Sequence, residues 1–183
     1  MIRKFEKLKY SDPEKVLPQL IEVQRTIRNS NLTEKEKNLR TPKLKKHREG
    51  WEAAIFTYGL SKILGTKVYF TPHEDSDYDI VTMWKKEDEV AFTPVQIKEI
   101  VPEKLNPYTN INKEIAKLTK YNDVCVAIHI NRSGKLELEK IEIPNLKISQ
   151  LWLFGASSED QSKWFIAGDI LNNPGISEFK YPL

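Results

Sequence analysis

Apolar residues recur at mostly helical spacing over residues 13–29, where Val16, Leu17, Leu20, Ile21, Val23 and Ile27 share one side. Pro13 suits the first turn of such a helix, and Pro18 limits its regularity. Thr33 followed by Glu36 makes a capping box, which predicts a second short helix ending before Pro42. A longer helix is expected from Lys45 to Leu64, stopped by Gly65. The period then changes. TKVYFT and YDIVTMW are β-rich runs around an acidic loop, residues 85–89 read as a turn, and VAFTPVQIK returns as a third strand. Residues 110–121 look helical behind the N-cap candidate Asn110. VCVAIHI at 124–130 is the unbroken apolar run of a strand buried on both faces. A turn at Asn131–Gly134 leads into KLELEKIEI, expected as another strand, and ISQLWLFG and SKWFIAGDI add two more. Helix, three strands, helix and further strands describe an α/β or α+β sandwich with a mixed central sheet flanked by helices.

Length and charge sharpen this picture. At 183 residues, with 39% apolar, 30% charged and a mean hydropathy of −0.53, one compact domain is expected. Within it, residues 1–44 read as an N-terminal helical extension on a core at 45–183. No apolar run of about 18 residues is present, so no membrane span is expected, and the basic N-terminus lacks the apolar stretch of a signal peptide. A cytoplasmic location is the expectation. The single cysteine, Cys125, excludes an internal disulfide framework and lies in an apolar run, which makes it a core residue. His129 in the same run reads as a strand histidine. The net charge is only +3, but residues 1–48 hold 14 Lys/Arg against 6 Asp/Glu, and residues 49–183 hold 15 against 20. A solvated basic face and a contact with a polyanion account equally well for that asymmetry.

Three places have the residue types for chemistry. Glu52 falls in the apolar arc of the 45–64 helix with Phe56, Gly59 and Ile63, where a carboxylate needs a cation, a metal or a hydrogen bond. An exposed first-turn acid favoured by the helix dipole is the competing reading, and Glu49 shares that arc one turn earlier. Asp75, Asp77 and Asp79 alternate before an apolar strand. A solvated turn explains Asp75 and Asp77 well but Asp79 less well, because Ile80 and Val81 continue into the strand. Clustered carboxylates of this kind are relieved by a hard divalent cation. In VQIK, Gln96 and Lys98 share one strand face, as in any amphipathic strand. Their order matters more than each alone. A hairpin brings the start of its first limb beside the end of its second, so Asp79 becomes a neighbour of Gln96 and Lys98, with the preceding helix placing Glu52 above them.

These stretches resemble the PD-(D/E)XK nuclease superfamily, and most closely its Mrr-type restriction endonucleases. The matched residues are Gly50-Trp51-Glu52 opening a helix that ends at Leu64-Gly65, then Asp75-Ser76-Asp77-Tyr78-Asp79-Ile80, and Val95-Gln96-Ile97-Lys98. The resemblance covers roughly residues 45–131. It implies a restriction-endonuclease-like αβββαβ core and a DNA endonuclease dependent on Mg²⁺ or Mn²⁺. In that pattern Asp79 is the metal-binding acid, Gln96 supplies an oxygen, Lys98 positions or activates water, and Glu52 supports the metal from the helix. The basic stretch Arg40, Lys43, Lys45, Lys46 and Arg48 would hold the DNA backbone, and a homodimer would let two sites cut both strands. Tyr78 stands where the family has proline, and Ser76 and Asp77 where it has glycines. Those departures, with the neutral Gln96, leave a second reading: a non-cutting nuclease-like domain that binds nucleic acid or protein. A nucleotidyl-transfer site on Asp75, Asp77 and Asp79 ranks last, because no Gly-Ser pair or phosphate-binding loop accompanies it.

Overall fold

The computed structural model describes residues 2–75, 77–87 and 89–182. Ser76 of the acidic stretch and Asp88 of the turn expected at 85–89 lie outside the described residues. Helices α1 (Ile2–Phe5), α2 (Pro13–Arg28), α3 (Glu34–Lys37) and α4 (Lys45–Leu64) precede strands β1 (Val68–Pro72), β2 (Ile80–Lys86) and β3 (Glu89–Ile100). Then come α5 (Ile111–Ala116), β4 (Cys125–Ile130), β5 (Gln150–Ala156), β6 (Lys163–Gly168) and β7 (Gly175–Lys180). Among the described residues the strands form one mixed sheet in the order β1 to β7. The β1–β2–β3 unit is antiparallel, β3, β4 and β5 are parallel, and β5–β6–β7 is antiparallel again. The chain is therefore α/β, with α4, three strands, α5 and β4 following one another along it.

Local chemistry sets the element ends. Asp12 caps α2 by accepting from the Glu14 amide at 3.0 Å, with Pro13 in the first turn. Thr33 and Glu36 form the reciprocal capping box that opens α3. Gly65 ends α4 in the left-handed region at φ 63°. Asn110 caps α5 through the Lys113 amide at 2.9 Å.

Alternation along the strands divides the core in two. Ile80, Val95, Cys125, Ala127, Phe154 and Ile166 point to the face covered by α4. Val81, Ile100, Val126, Ile128, Leu151 and Leu153 point to the other, covered by α5 with Phe5, Ile115 and Leu118. β4 is central and buried on both faces, as its unbroken apolar run requires. Helix α4 is enclosed rather than amphipathic: every residue from Trp51 to Leu60 is buried. The sheet lies on one side, α2 packs through Leu17, and β6 and β7 close over the remainder. Gly59 permits that closure, since a Cβ there would lie 2.7 Å from the Phe179 ring.

Two elements depart from expectation. KLELEKIEI forms no strand; it contains a short 3₁₀ turn at Leu138–Lys140, and Leu136, Leu138 and Ile141 pack on the α5 face. Because β4 and β5 are parallel neighbours, the chain between them must travel back along the sheet, and these apolar residues bury themselves on the way. GISEFK, in contrast, pairs as the edge strand β7. Among the described residues, no helix is long and apolar enough to cross a membrane.

Candidate functional site

Asp79 sits where β2 begins and separates from β3. Its backbone N–H makes a ladder bond to the Val95 carbonyl at 3.0 Å, and its Oδ2 then accepts the Ile97 N–H at 2.8 Å. The carboxylate thus replaces the backbone acceptor that β2 would offer if it continued. Gln96 donates its side-chain Nε2 to the same oxygen and to the Ile97 carbonyl at 3.2 Å. Pairing of Ile80 with Val95 dictates this neighbourhood, because it sets Asp79 opposite Gln96. The acidic loop is fixed behind it: His73 N–H donates to the Asp79 carbonyl and Asp75 N–H to that of Tyr78, both at 3.0 Å.

Burial and the Lys98 charge act in opposite directions at the fork. Burial pushes the Asp79 carboxyl above its ordinary range. The Ile97 amide and the Lys98 charge oppose that shift, while the charges of Glu49 and Glu74 reinforce it. Lys98 projects from the same face of β3 as Gln96, and its Nζ lies 5.3 Å from the centroid of the Tyr121 ring. Asp75 and Asp77 are exposed, and Asp75 accepts from Lys4 and from the Tyr78 hydroxyl, each at 3.2 Å.

Glu52 belongs elsewhere, and its expected place above Asp79 is corrected. Its Oε1 lies 3.0 Å from His129 Nδ1, with both side chains buried. Those groups pack on the α4 face, whereas Gln96 and Lys98 leave β3 on the α5 face. The acid of α4 whose charge reaches Asp79 is Glu49, which sequence reasoning noticed only as a competitor for the same arc.

A buried polar network surrounds Glu52. Glu99, next to His129 across the β3–β4 ladder, accepts a bidentate pair from Arg40, with Nη1 to Oε2 at 2.7 Å, and a bond from Asn131 at 2.8 Å. Arg48 Nε lies 3.8 Å from Glu99 and its Nη1 donates to the Leu39 carbonyl. Burial alone would raise the Glu99 carboxyl, but the hydrogen bonds from Arg40 and Asn131 and the Arg40 charge hold it below its ordinary range. The His129 ring stacks on Phe154 with centroids 5.0 Å apart and meets Trp51 edge-on. Ligand atoms of Glu52, Glu99 and His129 lie within 4.8 Å of one another, the spacing of a metal cluster. Arg40 and Asn131 already engage Glu99, and His129 engages Glu52, so a cation there would have to displace an existing partner. An open cleft of about 1280 Å³ reaches this network.

Two of the five residues of the basic stretch depart from expectation. Arg40 and Arg48 turn inward to Glu99, and Lys45 pairs with Glu49 at 3.3 Å. Of the five residues expected to hold phosphates, Lys43 and Lys46 are the exposed cations outside ion pairs among the described residues.

No family model matches the chain, and no curated protein or solved structure matches it.

Proposed function

We propose that this chain is a metal-dependent DNA endonuclease of the restriction-endonuclease-like kind, hydrolysing phosphodiesters at the β2–β3 fork. The observation that carries the reading is the half-buried Asp79 carboxylate touching Gln96, within the field of Lys98 and beside two further acids. The order α4, β1, β2, β3, α5, β4 supports it as the αβββαβ core. The hard oxygens at the fork suit Mg²⁺ or Mn²⁺: the Asp79 carboxylate and the Ile97 carbonyl both lie against the Gln96 side chain, and a small octahedral cation keeps waters for its other positions. Bound there, the cation would supply Lewis-acid stabilisation of the phosphate oxygens and a more acidic water.

The chain's own groups do the rest. Asp79 anchors the site; burial raises the affinity of its carboxyl for a proton, and the charges of Glu49 and Glu74 add to that shift. Gln96 must turn its amide so that Oε1, rather than Nε2, faces the gap. Lys98 hydrogen-bonds the attacking water and offsets charge on the pentacoordinate phosphorus. Glu49 takes the supporting place that the resemblance gives to Glu52. Cutting both strands of a duplex would use two copies related by a twofold axis.

Gln96 also favours one competitor, the non-cutting binding module. Its amide already satisfies Asp79 as a hydrogen-bond donor, which does part of a cation's work. Cleavage of a labelled duplex oligonucleotide in Mg²⁺ by three variants separates the readings. Asp79→Asn and Lys98→Met should abolish it, while Glu52→Gln, if folded, retains it. Loss in Glu52→Gln alone would move the chemistry to the His129 network. No cleavage by the parent in Mg²⁺ or Mn²⁺, with DNA still bound, would favour the binding module.

A further inference from the structure

With Arg40 and Arg48 turned inward, the basic stretch keeps Lys43 and Lys46 as exposed unpaired cations, and a second cationic surface gains weight. The α5 face offers one. Lys98 and Lys120 converge on a single ring, with Nζ atoms 5.3 Å and 5.1 Å from the centroid of the buried Tyr121. Among the described residues neither ammonium group has a carboxylate at ion-pair distance, and the Lys98 charge reaches Asp79 and Glu114 only from further off. A phosphate at this place would meet cations that have no direct ion-pair partner. Lys113 adds a third charge, its Nζ donating to the Tyr108 carbonyl at 2.7 Å rather than to an acid.

Tyr108 itself is 81% exposed, a large aromatic surface left in water. Its loop is nevertheless firmly built. Arg132 donates Nε to Val101 O at 2.7 Å, Nη1 to Thr109 O at 2.9 Å, and Nη2 to Asn106 O. The Tyr108 amide donates to Asn106 Oδ1 at 3.1 Å, and Thr109 Oγ1 donates to Glu114 at 2.6 Å. Glu114 in turn feels the Lys98 charge. The ring is thus presented on a braced loop close to the Lys98 side of β3, and ordering it on binding would require little further entropy.

We propose that the α5 face is a track for single-stranded DNA, in which Lys98, Lys113 and Lys120 hold phosphates and Tyr108 stacks one base. The single strand follows from the aromatic: a paired base is already stacked on its neighbours, whereas an unpaired one has a free π-face. This inference rests on the nuclease reading for its cleavage consequence, a preference for substrates with unpaired segments, but its binding consequence stands alone.

The test is fluorescence anisotropy of the full chain with labelled oligo-dT in EDTA, where no cleavage occurs. Tyr108→Ala should weaken binding roughly 5- to 150-fold, with Tyr108→Phe close to the parent. Lys120→Gln should lower the slope of log K against log salt by about 0.7, and Tyr108→Ala should leave it unchanged. Thermal melting of each variant confirms that the fold persists. Parent-like affinity in both Tyr108→Ala and Lys120→Gln overturns the track, as does equally tight, Tyr108-independent binding of a duplex or of an acidic peptide. Cleavage that still depends on Asp79 would then leave the nuclease reading standing. Tyr108-dependent binding without any cleavage would support the track and remove the nuclease.

Discussion

Replacing Gln96 with glutamate probes the fork from both sides, because the change is nearly isosteric and adds one negative charge beside Asp79. In the parent, Gln96 Nε2 donates to a carboxylate and to the Ile97 carbonyl. A bond to a charged group contributes about 1.5–3 kcal/mol and a neutral one about 0.5–1.5 kcal/mol. Glutamate forfeits both and adds repulsion between two carboxylates in a half-buried gap, until they share a proton. In EDTA at neutral pH, Gln96→Glu should therefore destabilise the chain by about 2–4 kcal/mol, a fall in Tm of roughly 5–15 °C at this chain length. The pH dependence has a definite sign. A carboxyl whose folded-state pKa is raised favours the folded state at low pH, and that advantage is lost as pH rises through the folded value. The deficit should therefore shrink between pH 7 and pH 5. Saturating Mg²⁺ should also shrink it, because the added carboxylate binds the cation more tightly than the parent's amide does, and each tenfold gain in affinity over the parent returns about 1.4 kcal/mol. Thermal unfolding in the four combinations of pH and Mg²⁺ measures all of this. A variant as stable as the parent in EDTA at pH 7, or a deficit that neither acid nor Mg²⁺ reduces, would refute the placement of Gln96 at a cation site.

Further outcomes follow from the packing. Arg40→Met leaves Glu99 among buried groups without its bidentate partner and should cost about 3 kcal/mol in urea denaturation, whereas Arg40→Met with Glu99→Gln should cost less than the two single changes added. The Glu99 carboxyl is held low, so its contribution is present above the ordinary carboxylate pKa and lost as pH falls through its folded value; Glu99→Gln should flatten the acid limb of a stability–pH curve. Gly59→Ala drives a Cβ against the Phe179 ring and should destabilise by about 1–3 kcal/mol, with Phe179→Leu restoring part of the loss; an unchanged Tm would contradict the closeness of α4 and β7.

Much of the hairpin geometry was legible in the chain. The turn expected at 85–89 is narrower than that, since Lys85, Lys86 and Glu89 belong to the strands, but a hairpin still brings the start of its first limb beside the end of its second, and so Asp79 meets Gln96. Gly65, Asn110 and the apolar run at 124–130 marked their elements because each has one local physical cause. The fate of Glu52 was not legible in the same way. A helical-wheel argument assumes one buried arc, but α4 is enclosed by the sheet, α2, β6 and β7, so burial on that helix carries no direction. Its partner His129 lies 77 residues away on β4, and Arg40, Glu99 and Asn131 come together only once β3 and β4 pair. The same long-range pairing turned two of the expected phosphate contacts inward. KLELEKIEI had the alternation of a strand but no edge to pair with between two parallel neighbours.

Nicking of supercoiled plasmid tests the central claim most directly, because one hydrolysed phosphodiester converts the whole molecule to its relaxed form. Here the parent chain in Mg²⁺ or Mn²⁺ should relax the plasmid, EDTA should stop the reaction, and Asp79→Ala should remain inactive at equal concentration while melting as a folded protein. Relaxation by Asp79→Ala at the parent's rate, or no relaxation by the parent in either metal, would contradict the assignment of the β2–β3 fork as a hydrolytic metal site.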